Sequence, residues 1–118
     1  MPALTPTASG LRTARDDART LCRKHDIADE RGDDFVLIVS ELVSNAITHG
    51  WPPSSYDVSL DQGDLFVTVD DTDPNVPPTL TPVADGSEGG RGLGIVEALA
   101  RLWGWLPTAG GKRVWARV

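Results

Sequence analysis

The chain contains a glutamate and an asparagine four residues apart, Glu41 and Asn45, within a segment that has helical periodicity. Residues at positions i and i+4 of a helix project to the same side, so both side chains reach one spot. A carboxylate and a carboxamide are suitable ligands for Mg²⁺, which prefers oxygen and retains several waters. The carboxylate could alternatively accept a proton from a nucleophile beside a phosphate. Such a short motif is also typical of an ordinary helix surface.

A second candidate is the aspartate pair Asp70 and Asp71 at the end of a strand-like run. Alternation places Val67 and Val69 on one side and Asp70 on the other, so Asp71 returns to the apolar side. A carboxylate that leaves a strand among apolar neighbours can accept a hydrogen bond from the amino group of a base. The alternative is an aspartate that only initiates the following turn.

The third candidate is glycine-rich: residues 88–96 contain four glycines in six positions just before a helical pattern. Glycines let backbone amides approach a phosphate, and the helix N-terminus adds a partial positive charge. The spacing matches neither a P-loop nor a dinucleotide-binding fingerprint. A flexible glycine loop without a ligand remains the alternative.

Helices and strands that would position these residues follow from the hydrophobic periodicity. Residues 1–9 are predicted to be a flexible N-terminus, and residues 10–118 to form one domain. The predicted helices are 10–28, 33–49 and 92–103, and the predicted strands are 56–61, 65–70, 104–108 and 112–118, with a long loop over 72–91. Asp33 or Asp34 can cap the second helix, and Gln62-Gly63-Asp64 is predicted to be a hairpin turn. This order favours helices on one face of a mainly antiparallel sheet.

Composition limits the class of partner. The 118 residues carry a net charge of −6, with 11 basic and 17 acidic side chains, whereas a duplex-DNA binder usually has a basic surface. We therefore expect no direct DNA binding. No run reaches the roughly 18–20 apolar residues of a membrane span, and no secretory signal is visible. Cys22, the single cysteine, excludes an internal disulfide, and these features together favour the cytoplasm.

In this order and spacing, the three clusters resemble the GHKL ATPase superfamily, and within it the anti-sigma-factor serine/threonine kinase branch. Residues 40–50 are similar to the N box of that branch, residues 67–77 to its G1 box, and residues 88–99 to its G2 box. The resemblance runs from about residue 10 to the end of the sequence. It implies the Bergerat ATP-binding fold, an α+β two-layer sandwich whose mixed, mainly antiparallel sheet is covered on one face by helices.

The resemblance also implies roles for individual residues. Glu41 matches the general base, Asn45 the Mg²⁺ ligand and Asp71 the adenine-recognising aspartate. The phosphate-facing end of the lid is matched by the run Gly90, Arg91, Gly92, Leu93 and Gly94. The loop before this run would be a lid over ATP, and its proline and glycine content predicts disorder over residues 75–91 without nucleotide. Asp73 stands where many relatives have glycine, and no N-terminal strand is apparent in residues 1–9.

The resemblance therefore predicts an enzyme that uses ATP and Mg²⁺ to phosphorylate a STAS-domain anti-anti-sigma protein, and that also sequesters a sigma factor. Relatives in this branch form dimers, which favours a homodimer. The alternative is a non-catalytic module that binds a partner in response to nucleotide. The presence of Glu41 argues against that alternative. A fragment of a sensor histidine kinase is disfavoured because no pair of phosphoacceptor helices is apparent.

Overall fold

A computed structural model describes residues 3–4, 8–49, 54–71 and 88–118, and the side chains over 10–47, 55–71 and 94–118. The three helices in this part of the chain are α1 (Ala8–Lys24), α2 (Asp29–His49) and α3 (Glu88–Leu99). The strands are β1 (Ala3–Leu4), β2 (Ser54–Asp61), β3 (Asp64–Asp71), β4 (Leu102–Thr108) and β5 (Gly111–Arg117).

The five strands form one sheet in the order β1-β2-β3-β5-β4. Every pairing between these described strands is antiparallel. The helices α1, α2 and α3 pack on β2, β3 and β4, respectively. The prediction of an α+β fold, with helices on one face of a mainly antiparallel sheet, is thus confirmed, and the described sheet is antiparallel throughout.

The β2–β3 hairpin turns through two residues, Gln62 and Gly63, between the paired residues Asp61 and Asp64. Both turn residues have positive φ, 52° and 84°. Positive φ at both central positions is typical of the type I′ turn, whose twist matches that of the flanking strands. The predicted hairpin is confirmed. Its turn sets the register that carries β3 to Asp71.

The core lies between the helices and the inner face of the sheet. The apolar face predicted for the second helix is buried, and Phe35 and Ile38 are completely inaccessible. On the sheet, the buried residues of β3 and β5 alternate with more accessible ones, as expected for a half-buried strand. The main contributors to the core are Ala14, Ala18, Phe35, Ile38, Val39, Leu42, Val43, Ala46, Tyr56, Leu65, Val67, Val69, Val96, Val114 and Ala116.

The outer face of the sheet carries aromatic and charged side chains in place of a second apolar layer. The guanidinium of Arg117 lies 4.5 Å from the centre of the Phe66 ring, and that ring lies 6.3 Å from the ring of Trp115. Arg117 also pairs with Asp61 at 2.7 Å. Cross-strand pairs of this kind stabilise a sheet face without burying it under a second layer. None of the helices in the described part of the chain combines the length and apolar character needed to cross a membrane.

Two predicted helix starts differ at the N-terminal side. Ala3–Leu4 pair with Ser54 and Ser55 of β2, so a strand is present that was not apparent from the sequence, and α1 begins at Ala8 rather than at residue 10. A two-residue strand is too short to show a periodicity, so only its pairing with β2 identifies it. The second helix begins at Asp29, so Asp33 and Asp34 lie inside it and do not cap it.

The third helix also differs from its prediction. It begins at Glu88, four residues before the predicted start, and ends at Leu99, so Leu102 and Trp103 belong to β4. The glycines lie inside the helix, although each costs about 1 kcal/mol there relative to alanine. Packing on α2, with Val96 fully buried, offsets this cost. Disorder is predicted for residues 75–91. Of these, residues 75–87 lie outside the described residues, and residues 88–91 are helical.

Candidate functional site

Asp71 is the last residue of β3 and lies on the inner, helix-facing side of the sheet. Its relative exposure is 6%, and it continues the buried series of Val67 and Val69. Asp70 points to the opposite side, where it pairs with Arg113 of β5 at 2.6 Å. The predicted phase of the strand is therefore confirmed. Asp71, and not Asp70, is the carboxylate that faces the helices.

Asp71 has a charged partner that the sequence analysis missed. Lys112 stands directly opposite Asp71 in the β3–β5 register, and its Nζ lies 3.3 Å from Asp71 Oδ2. The two side chains are 9% and 6% exposed, so this is a buried ion pair. The alternation of β5 contains the signal, because Lys112 has the same phase as the buried Val114 and Ala116.

Glu41 and Asn45 lie one helical turn apart on α2, and both are half-buried. Leu42 and Ala46, the residues that follow them, are buried in the core. Four residues correspond to about 6 Å along a helix axis, so both side chains can serve one site. The predicted pairing of a carboxylate with a carboxamide on one side of a helix therefore fits the observed helix.

Hydrogen bonds between the helix layer and the sheet show that α2 and β3 begin at the same end of the domain. Arg31, near the start of α2, donates a hydrogen bond of 2.8 Å to the carbonyl oxygen of Val118. Val118 in turn exchanges two backbone hydrogen bonds with Leu65, the second residue of β3. The beginning of the helix is thereby joined to the beginning of the strand.

A second connection lies farther along both elements and runs through α1. Arg15 of α1 donates a hydrogen bond of 2.8 Å to Ser40 Oγ on α2. Two residues further along α1, Asp17 accepts a hydrogen bond from the hydroxyl of Tyr56 on β2. Tyr56 stands opposite Val69 in the β2–β3 register. Ser40 and Val69 therefore lie at similar distances from the end at which α2 and β3 begin. The helix and the strand thus run in the same direction.

Beyond Ser40 and Val69, the helix and the strand carry Asn45 and Asp71 to the same end of the domain. Asn45 follows Ser40 by five residues, about 7.5 Å along the helix. Asp71 follows Val69 by two residues, about 7 Å along the strand. The end of β3 and the C-terminal part of α2 thus meet at the same edge of the two layers.

The direction of α3 brings its glycine-rich start toward this edge as well. Arg101, just after α3, forms an ion pair of 2.8 Å with Asp64, the first residue of β3. The end of α3 therefore lies at the opposite edge from Asp71. Its first two turns contain the predicted phosphate-facing residues Gly90, Arg91, Gly92, Leu93 and Gly94. The first four amides of a helix lack partners within it and can bind an anion.

The donor set fits Mg²⁺ held jointly by the protein and a polyphosphate. The described residues contain no group of three or more histidine, cysteine or acidic side chains that could hold a metal by themselves. Mg²⁺ usually takes one or two protein oxygens and fills its octahedron with phosphate oxygens and water. The carboxamide oxygen of Asn45 can supply one such ligand, with the carboxylate of Glu41 one turn away.

Comparison with known proteins identifies the family and similar folds. The histidine kinase-like ATPase domain model matches residues 4–118. The crystal structure of the RsbU and RsbW domains of Rv1364c from Mycobacterium tuberculosis is similar with a TM-score of 0.72 and 22% identity. The match covers 99% of this chain and 32% of that one. The present sequence thus spans about a third of the length of that chain.

A second solved structure shares the fold at lower similarity. It is the histidine kinase domain of a blue-light-activated histidine kinase from Erythrobacter litoralis EL346, with a TM-score of 0.56 and 19% identity. This match covers 93% of the present chain and 59% of the other. No curated protein matches the sequence. Since the family model spans nearly all of the sequence, the chain belongs to the histidine kinase-like ATPase domain family.

Proposed function

We propose that this protein is a Mg²⁺- and ATP-dependent serine/threonine protein kinase of the anti-sigma-factor type. One observation carries the proposal: the buried carboxylate of Asp71 faces the helices at the same edge as Glu41, Asn45 and the glycine-rich start of α3. Membership of the family implies ATP binding. The choice of a serine or threonine acceptor rests on the motif resemblance and on the presence of Glu41.

In this proposal Asp71 accepts a hydrogen bond from the amino group of adenine. Asn45 would hold Mg²⁺ through its carboxamide oxygen, and the ion would supply charge neutralisation for the phosphate oxygens. Gly90, Arg91, Gly92, Leu93 and Gly94 face the phosphates at the positively polarised end of α3. The helix end suits the negative charge that spreads over the phosphoryl oxygens during transfer.

Glu41 has the remaining role of proton acceptor. The acceptor hydroxyl oxygen forms a bond to the γ-phosphorus while the bond from that phosphorus to the β-phosphate oxygen breaks, which releases ADP. The hydroxyl proton passes to the Glu41 carboxylate. Phosphoryl transfer demands mainly positioning and charge stabilisation, so a site without a covalent nucleophile suffices.

The proposed protein substrate is a serine or threonine of a STAS-domain anti-anti-sigma protein, and the proposed regulatory partner is a sigma factor. Both come from the motif resemblance. In the same way we propose a homodimer that acts in the cytoplasm and makes no direct contact with DNA. The net charge of −6 supports the last point, because a basic surface is the usual requirement for duplex binding.

The first test is calorimetric titration of Mg²⁺-ATP into the wild type, Asp71→Asn and the matched control Asp70→Asn, all at a temperature where circular dichroism shows them folded. Loss of a hydrogen bond to a charged acceptor corresponds to a roughly 10- to 100-fold weakening. We expect that loss for Asp71→Asn and unchanged affinity for Asp70→Asn, whose side chain faces away from the helices. Equal affinity in all three proteins would contradict the assigned base site.

The second test separates catalysis from binding. With Glu41→Gln we expect ATP affinity close to that of the wild type and phosphate transfer to a STAS-domain protein reduced by roughly 10²- to 10⁴-fold, the usual contribution of a general base. The assay follows transfer from γ-labelled ATP to serine or threonine of the STAS-domain protein. ATP binding by a wild type that transfers no phosphate would instead favour the non-catalytic, nucleotide-dependent binding module.

A further inference from the structure

The buried ion pair between Asp71 and Lys112 adds a hydrogen-bond donor to the proposed base site. We propose that Lys112 takes part in base recognition and that the pair admits 6-oxopurine nucleotides, such as ITP and GTP, as well as ATP. The inference rests on the proposed function, because it takes Asp71 as the residue that meets the base. It concerns which bases the site accepts.

Position is the first support. Lys112 and Asp71 face each other across β3 and β5, at the end of β3 and on the helix-facing side. The neighbouring pair of Asp70 and Arg113 has the same cross-strand register but lies on the outer face, with side-chain exposures of 29% and 41%. Only the pair that includes Lys112 is directed to the side that carries the candidate site.

The cost of burying a lysine is the second support. An ammonium group loses its hydration when it is buried, and its attraction to a carboxylate does not generally exceed that loss. Apolar side chains of similar volume in place of both Lys112 and Asp71 would therefore hold the strands at least as well. The pair is better explained by what its charges offer to a ligand than by stability.

Hydrogen-bond chemistry is the third support. The edge of adenine formed by positions 1 and 6 presents a donor, the amino group, beside an acceptor, N1. A 6-oxopurine presents the reverse, an acceptor O6 beside the donor N1–H. A carboxylate is an acceptor only, so by itself it repels O6. A lysine ammonium has three donors on a flexible chain, so Lys112 can bind Asp71 and still donate to O6 while Asp71 accepts from N1–H.

The low exposure of both groups makes this discrimination strong. With 9% and 6% of the two side chains accessible, little water is present to replace a missing hydrogen bond. Sites in which polar groups are shielded from water reject an analogue that leaves them unpaired, and accept one that satisfies them. An aspartate alone in this position would be selective for adenine, whereas the pair satisfies either order of donor and acceptor.

The test is a set of calorimetric titrations with Mg²⁺-ATP, Mg²⁺-ITP and Mg²⁺-GTP. ITP is the main probe because it differs from GTP in lacking the 2-amino group. We expect the wild type to bind ITP within roughly tenfold of ATP, and Lys112→Met to bind ITP at least about tenfold more weakly relative to ATP. The matched control Arg113→Met removes the cation of the outer pair and leaves the ITP-to-ATP ratio unchanged.

Each outcome bears on one proposal or the other. A wild type that binds ATP but binds ITP and GTP more than about 100-fold more weakly overturns the inference and leaves the proposed function standing. If Lys112→Met leaves the ratio of ITP affinity to ATP affinity unchanged, the inference is also overturned. Failure of ATP itself to bind overturns the proposed function together with the inference. If circular dichroism shows that Lys112→Met is unfolded, the ratio of ITP affinity to ATP affinity in the wild type decides whether the inference stands.

Discussion

The adjacent aspartates at the end of β3 permit a controlled measurement of how much a buried ion pair matters here. Asp71→Asn leaves Lys112 as a buried ammonium without its carboxylate, and removal of one partner of a buried pair costs about 3–5 kcal/mol. Asp70→Asn breaks a pair whose side chains are 29% and 41% exposed, and such pairs contribute up to about 1 kcal/mol. The same substitution at neighbouring positions should therefore differ several-fold in its effect on the free energy of unfolding.

The assay is denaturant unfolding followed by tryptophan fluorescence, for which the chain has four indoles. For a domain of this size, the loss predicted for Asp71→Asn lowers the melting temperature by roughly 10–20 °C. Asp71→Asn combined with Lys112→Met should be more stable than Asp71→Asn alone, because no unpaired buried charge remains. Addition of 1 M salt should reduce the effect of Asp70→Asn far more than that of Asp71→Asn.

Equal losses of stability for Asp70→Asn and Asp71→Asn would refute this reasoning, since burial would then not distinguish the two pairs. A double variant less stable than Asp71→Asn alone would refute it as well, because the lysine would then be stabilising without its partner. The slope of the unfolding free energy against denaturant concentration should be unchanged in every variant. A change in that slope would mean that the unfolded or native ensemble, and not the pair alone, had been altered.

Two further predictions concern side-chain packing in other parts of the domain. Burial and the hydrogen bond to Asp17 raise the pKa of Tyr56, the chain's one tyrosine. Its contribution to stability is therefore complete below the unfolded-state pKa of about 10 and is lost as the pH rises toward the folded-state pKa. Absorbance at 295 nm should show tyrosinate only as the protein unfolds, and titration of the folded protein near pH 10 would contradict this. Gly104→Ala should cost about 1–3 kcal/mol, because its Cβ would lie 2.9 Å from the Trp115 ring. In the control Gly110→Ala the Cβ meets no atom within 4 Å, so denaturation that finds the two variants equally stable would count against the contact.

Local periodicity was sufficient to predict the side of the sheet on which Asp71 lies. The alternation from Val67 to Asp71 is a property of one strand, and burial follows it residue by residue. The apolar face of α2 was predictable for the same reason. The turn at Gln62 and Gly63 was also predictable, because two-residue hairpin turns favour only a few residue types.

The partner of Asp71 was not predictable in the same way. Lys112 meets Asp71 only through the β3–β5 register, which joins residues more than 40 positions apart, as the neighbouring pair of Asp70 and Arg113 shows. The start of α3 was missed because helix propensity disfavours glycine, and only packing on α2 overrides that preference. Both errors concern contacts between elements distant in sequence.

The sheet order β1-β2-β3-β5-β4 has a consequence for how the chain folds during synthesis. Until residues 111–117 leave the ribosome, β3 has a partner on one edge only, and its other edge remains open to unwanted strand pairing. Pairing over such sequence separations is slow, because the loop must close before any contact stabilises it. Asp71 therefore acquires its second neighbouring strand only late in translation, and a nascent chain that stalls before β5 should be prone to aggregation.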